Sequence, residues 1–235
     1  PALDFEGMQT YQGRGLEANG RHGKVHFVDV VNDARIIEAD NAAIGVAATE
    51  IIPGINAPTT DISGKSRRNE AGAFAYDSTL AFVGKYIGED ADGSLAKPYA
   101  SIQDAIAAGA KEIQVIAGTY NGKQTVSDEA VITSYAGDVI FDGVVDVVGS
   151  DDYNVLIKGI NFGDTVSITG KNVTVDGCTF ANDLILTESD GAIITGNIFA
   201  PKRSDAIVLN NSENCSIVNN VITERQTAIQ LTDAF

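Results

Sequence analysis

Tryptophan is absent from this 235-residue chain, and histidine (two), cysteine (two), methionine (one) and proline (five) are scarce. Aromatic residues make up only 7% of it, so the interior has to be built from Val, Ile, Leu and Ala, a composition that suits stacked strands. Two cysteines cannot form the disulfide framework of a small secreted scaffold. Cys178 and Cys215 both lie in strand-like segments, where a buried thiol acts as a small apolar filler. A disulfide between them stays open, although cytosolic synthesis argues against it. Neither has a histidine nearby in sequence, which leaves a thiol nucleophile or a metal site without support. His22 and His26 precede the repetitive part of the chain and read as hydrogen-bonded structural residues.

Long apolar runs are also missing. No stretch of 18 apolar residues exists, so no membrane-spanning helix is expected. The first six residues, Pro1 to Glu6, lack the basic and apolar regions of a secretion signal, and the expectation is synthesis in the cytoplasm without a signal peptide. Positive charge is the last shortage. Sixteen Lys and Arg stand against 32 Asp and Glu, a net charge of −16, and residues 99–235 carry 7 against 18. A surface this acidic repels phosphate backbones and anionic lipid, so neither nucleic acid nor a membrane is an expected partner.

Glycine, by contrast, is plentiful, with 24 residues, and it punctuates the chain. Residues 1–23 show neither helical nor strand periodicity and read as an extended arm. Residues 24–79 read as a small β-rich unit with a linker. In it 24–31 and 34–39 are strand-like, 42–52 could be strand or helix, Pro53-Gly54 is a break, and 63–73 is a polar, basic loop. Residues 80–235 form the main body. It opens with a short strand at 80–87 and an acidic glycine turn at 88–93. A helix follows, whose apolar positions Ile102, Ala105 and Ile106 share one face, with Ser101 as its N-cap and Asp104 near its positive end.

This opening, with Gly93-Ser94, Lys97-Pro98-Tyr99, Ser101-Ile102-Gln103, Ala105-Ile106 and Gly118-Thr119-Tyr120 in order, resembles the start of the pectate-lyase-like parallel β-helix superfamily. The resemblance implies a helix that plugs the N-terminal end of a coil stack. It says little about function, since the superfamily includes lyases, hydrolases, viral spikes and inert scaffolds.

The residues themselves argue for a coil. Segments 154–162, 172–180, 191–199 and 214–222 superpose, bringing Phe162, Phe180, Phe199 and Ile222 into register at steps of 18, 19 and 23 residues, one turn of a solenoid. A second strand follows each, at 165–169, 183–187, 206–210 and 228–232. Earlier and fainter repeats bring the count to about five turns from Lys111 onward. Alternation places Val173 and Val175, or Ile193 and its period-two neighbours, inside, with Thr174 and Asp176 outside. Gly159, Gly177, Gly196 and Asn219 mark a bend that needs positive φ. Asn197 and Asn220 can form an Asn ladder there. The expected fold class is therefore all-β: a right-handed parallel β-helix with an N-terminal capping helix, preceded by an extended arm and a small β-rich unit.

Chemistry is hard to find in this body, which contains no histidine. Asp151-Asp152 is an adjacent acidic pair, whereas inverting glycoside hydrolysis needs carboxyls about 6.5–9.5 Å apart, and a solvated turn is the plainer account. A lyase needs a base and usually Ca²⁺, for which only Lys202, Arg203, Asp205 and Arg225 offer material. Asp164, Asp183 and Asp205 could align as a cation row, but Asp also starts turns for backbone reasons. Tyr135 and Tyr153 are the only candidates in the coil for a sugar-stacking platform. No catalytic, cofactor-binding or metal-ligating residue is assigned. An extended arm, a small β-unit and a short acidic coil together resemble phage virion accessories: capsid decoration (cement) proteins, head fibres and tail spikes. That resemblance implies a non-enzymatic structural virion protein, attached through its N-terminal region to the major capsid protein or other virion proteins. The uncovered last turn implies a homo-oligomer, with a trimer favoured. The alternatives are a polysaccharide lyase or hydrolase, a glycan-binding tail spike, and a bacterial surface adhesin.

Overall fold

The computed structural model describes residues 27–29, 33–36, 50–52, 55–56 and 60, and then 79–86 and 88–233. The chain divides into two compact units, Pro1–Ser78 and Thr79–Phe235. In the first, β1 (Phe27–Asp29) pairs antiparallel with β2 (Asp33–Ile36), and β3 (Glu50–Ile52) with β4 (Ile55–Asn56) across the Pro53-Gly54 break. Strand β3 lies at the end of the segment that the sequence leaves as strand or helix. The arm at 1–23, both histidines and the basic loop at 63–73 lie outside the described residues.

The second unit is a right-handed parallel β-helix of six rungs among the described residues. It opens with β5 (Leu80–Val83) and the helix α1 (Ile102–Ala107). Helix α1 forms because Ser101 stops the strand-like backbone and caps it. The Ser101 Oγ accepts from the Asp104 N–H at 3.1 Å and donates to the Asp104 carboxylate at 2.6 Å. Ile102 and Ala105 are buried against the first rung, where the Ile102 N–H also reaches the Gln124 Oε1 at 3.4 Å.

The first two rungs are β6 (Glu112–Asn121) with β7 (Gln124–Val126), and β8 (Ala130–Asp142) with β9 (Val145–Val148). From the third rung onward each coil has three strands: β10 (Val155–Lys158), β11 (Asn161–Phe162) and β12 (Val166–Lys171), then β13 (Val173–Asp176), β14 (Thr179–Phe180) and β15 (Leu184–Asp190). The fifth rung is β16 (Ile193–Thr195), β17 (Ile198–Phe199) and β18 (Lys202–Asn210), and the sixth β19 (Ser216–Val218), β20 (Val221–Ile222) and β21 (Arg225–Thr232). Every pairing in the coil is parallel, as in Val155↔Val173 and Phe162↔Phe180. The expectation of about five turns is corrected to six. The segments 112–121 and 130–142 are separate rungs, and the second hides its corner in a longer excursion where Ala136 and Gly137 both take positive φ.

Parallel register stacks like on like. Tyr120, Phe141, Phe162, Phe180 and Phe199 form one interior column that ends on Ile222, with ring centroids 5.0 Å apart for Phe162–Phe180 and 4.7 Å for Phe180–Phe199. Each fully buried side chain in that column contributes roughly 1.5–3 kcal/mol. At the bend after β10, β13, β16 and β19, Gly159, Gly177, Gly196 and Asn219 all have φ between 58° and 67°, the left-handed region. Beside it stands the ladder. Buried Asn197 donates through its Nδ2 to the Val175 carbonyl at 3.0 Å, and its backbone N–H donates to the Asn220 Oδ1 at 2.9 Å. Cys178 occupies the same corner one rung earlier and gives its N–H to the Asn197 Oδ1 at 2.8 Å.

One side-chain assignment from the sequence is reversed. Ile193 points outward and is 42% exposed, because it registers with Thr174, while Ala192 and Ile194 take the inward positions of Val173 and Val175. Three consecutive apolar residues blur the alternation that should have separated them.

Phe180→Ala is expected to destabilise the coil by about 3–5 kcal/mol. Ile198→Ala, on the neighbouring rung but facing out, should change stability by no more than about 0.5 kcal/mol. Chemical denaturation followed by circular dichroism measures both.

Candidate functional site

The turns between the second and third strands of each coil, together with the first residues of the third strands, carry the residues with most chemical potential. They hold Asp164, Asn182 and Asp183, then Lys202, Arg203, Ser204 and Asp205, then Arg225. Arg225 governs the geometry. Its side chain is 1% exposed and reaches back over two rungs. Nε donates to the Ala200 carbonyl at 2.6 Å, and Nη2 donates to the carbonyls of Phe180 and Asn182 at 3.3 and 3.2 Å. Nη1 meets the Asp183 carboxylate at 3.2 Å, the Ser204 hydroxyl at 3.3 Å and the Asp205 carbonyl at 3.1 Å. The guanidinium also lies 6.0 Å from the centroid of the Phe199 ring.

This arrangement commits the donors of Arg225 to holding turns together. A guanidinium does not give up its proton in a protein, and a buried one in contact with six acceptors has no donor left for a substrate anion. The geometry therefore removes Arg225 from the lyase role weighed for it. Ser204, which the sequence gives no reason to notice, bridges the site by donating to Asp183 at 2.6 Å.

The candidate cation row is also taken apart. Asp164 lies beside Asn182, whose Nδ2 donates to it at 3.2 Å, and Asp183 turns to Ser204 and Arg225. Among the described residues no three His, Cys, Asp or Glu side chains gather closely enough to hold a metal. Lys202 and Arg203 remain exposed at the start of β18, next to a half-buried Asp205.

Elsewhere the coil lysines are paired with acids on neighbouring rungs. Lys158 meets Asp176 at 2.7 Å, Lys171 meets Asp151 at 3.0 Å and Asp190 at 3.7 Å, and Lys111 pairs with Glu129 and Lys123 with Asp146. Lys111, Lys158 and Lys171 are held above the ordinary lysine pKa, in each case chiefly by the hydrogen bond to the partner carboxylate. A lysine shifted upward is a poorer proton acceptor near neutral pH. Of the adjacent pair, Asp151 is engaged by Lys171, and Asp152 receives a turn contact as its N–H donates to the Ser150 Oγ at 3.2 Å.

The two tyrosines are likewise committed. Tyr135 stands edge-on to Phe82 at 5.1 Å between centroids, and Tyr153 donates to the carbonyls of Val148 and Ser127. Both cysteines are free thiols, and burial pushes Cys178 up to about 11. Cys215, less buried, is raised for the same reason.

A family model described as "Right handed beta helix region" matches residues 125–235, just under half of the chain. No curated protein and no solved structure matches it. The match starts in the first rung and runs through the sixth, the same span over which the parallel columns repeat.

Since the thiolate is the reactive form, Cys178 should resist an aromatic disulfide reagent at pH 7–8 while Cys215 reacts slowly. Both should titrate at once after denaturation. Equal native reactivity of the two thiols would contradict the packing described.

Proposed function

We propose that this protein is a non-enzymatic structural component of a virion, a phage capsid decoration protein that attaches through its N-terminal region and displays a short β-helix. The observation that carries the reading is the commitment of the coil's cationic groups. Arg225 is buried among carbonyls, and Lys97, Lys111, Lys123, Lys158 and Lys171 are tied to carboxylates, leaving Lys85, Lys202 and Arg203 as the exposed cations without an ion partner among the described residues of the second unit. A polyuronate cleft needs several convergent positive groups and a free base. A rigid acidic stack needs neither, and its charge favours solubility over adhesion to polyanions. The partners on this reading are the major capsid protein or other shell proteins, met after synthesis in the host cytoplasm.

The competing reading, a polysaccharide lyase or hydrolase or a glycan-binding spike, draws on exposed Lys202 and Arg203 with half-buried Asp205 beside them. Two measurements separate the readings. The protein should co-sediment with intact particles, and it should release no unsaturated or reducing-end products from acidic polysaccharides with or without Ca²⁺. Product release that is lost in Arg203→Ala or Asp205→Ala would replace the scaffold reading with the enzymatic one.

A further inference from the structure

The outer face of the strands β6, β8, β10, β13, β16 and β19 carries two columns of side chains, one per outward position. The first column runs Glu112, Val131, Leu156, Thr174, Ile193, Ser216. The second runs Gln114, Thr133, Lys158, Asp176, Thr195, Val218. Val131, Ile193 and Val218 are among the exposed large apolar residues of the protein, and Leu156 is half-buried. On a chain with a net charge of −16 this face is close to neutral, its central charges being the Lys158–Asp176 pair.

We infer that this face binds a second copy of the same chain, antiparallel, about a two-fold axis lying in the contact plane between the third and fourth rungs. Such an axis keeps each column on itself and reverses the rung order, which is the isologous arrangement of a symmetric dimer. The columns are complementary under that operation. Lys158 faces Asp176 of the partner subunit, and Asp176 faces Lys158 of the partner subunit, so each intrachain pair closes into a square of alternating charge. Val131 meets Ile193 of the partner subunit, Thr133 meets Thr195 of the partner subunit, and Leu156 lies over Thr174 of the partner subunit. No like charges are brought together, and the apolar residues of the second and fifth rungs cover each other.

A parallel arrangement lacks this match, because its axis runs along the coil and sets Lys158 and Asp176 either against their own copies or, with the columns exchanged, against Leu156 of the partner subunit and Thr174 of the partner subunit. The same pattern favours two-fold pairing over the three-fold assembly expected from the sequence. The eight side chains per copy on the second to fifth rungs, which face one another under this axis, are about a third of a standard interface of roughly 20–30 residues a side, so association belongs in the micromolar range rather than the nanomolar. The inference is independent of the virion reading, since the face would pair in a scaffold or an enzyme alike.

Sedimentation of the full chain at micromolar concentration should give a dimer. Lys158→Glu should sediment as a monomer, because the introduced carboxylate would face that of Asp176, and Asp176→Lys should do so because two ammonium groups would face each other. Mixing the two variants in equal amounts should restore a dimer, since each heterologous contact then joins opposite charges while both intrachain pairs remain repulsive. Both positions are on the surface, and unchanged circular dichroism checks that the variants are folded. A monomeric or trimeric wild type, a single variant that still dimerises, or a mixture that stays monomeric overturns the inference.

Discussion

The structure rests on one constraint: each inward side chain must sit on an equivalent side chain of the rung below. Parallel pairing at a spacing of about 4.8 Å brings backbone N–H and C=O groups together and at the same time fixes which residues touch. An apolar column such as Phe141–Phe162–Phe180–Phe199 is the outcome, with ring planes becoming more nearly parallel down the stack, from 37° to 28° to 9°. The corners obey the same rule. Left-handed residues recur where the chain bends, and the polar atoms of buried Asn197 and half-buried Asn220 are satisfied by carbonyls and N–H groups of adjacent rungs. Helix α1 supplies what the repeat cannot, an apolar surface over the first rung.

Features repeated at one position per rung were legible in the sequence because repetition multiplies a weak local signal. The phenylalanine column, the glycine bends and the Asn ladder are of this kind. The N-cap at Ser101 was legible for a different reason: its geometry needs only the residues next to it. Errors arose where a signal was diluted or where distance in the chain hid a contact. Ile193 sits in an Ala-Ile-Ile run with no polar residue to set the phase, so its outward direction follows from its register with Thr174 and from nothing in its own segment. The 130–142 rung lacks the short Gly bend of its successors, so it is fainter in the sequence than they are.

The site shows the same division. Which residues had chemical potential was visible from their types alone. What they do was not, because Arg225 is held mainly by backbone carbonyls, and a carbonyl carries no sequence signature. The nearest side-chain clue, Asp183, lies 42 residues earlier, two rungs away. With Arg225 buried and Asp183 partly exposed, the guanidinium ties the fourth, fifth and sixth rungs together, which marks it as a clasp across three turns. The lysines make the same point at the surface, where acids one rung away take up charge that a binding cleft would have to present.

The central claim, that equivalent positions climb the coil one rung at a time, is tested most directly by distances along a single outward column. Spin labels placed in a cysteine-free background at Glu112 and Ile193, four rungs apart, and at Glu112 and Ser216, five rungs apart, are diluted with excess unlabelled protein. The stack predicts mean separations of about 19 and 24 Å, rising by one strand spacing between the two pairs. Separations that do not increase with rung number, or that place Glu112 nearer to Ser216 than to Ile193, would contradict the stacked architecture and everything built upon it.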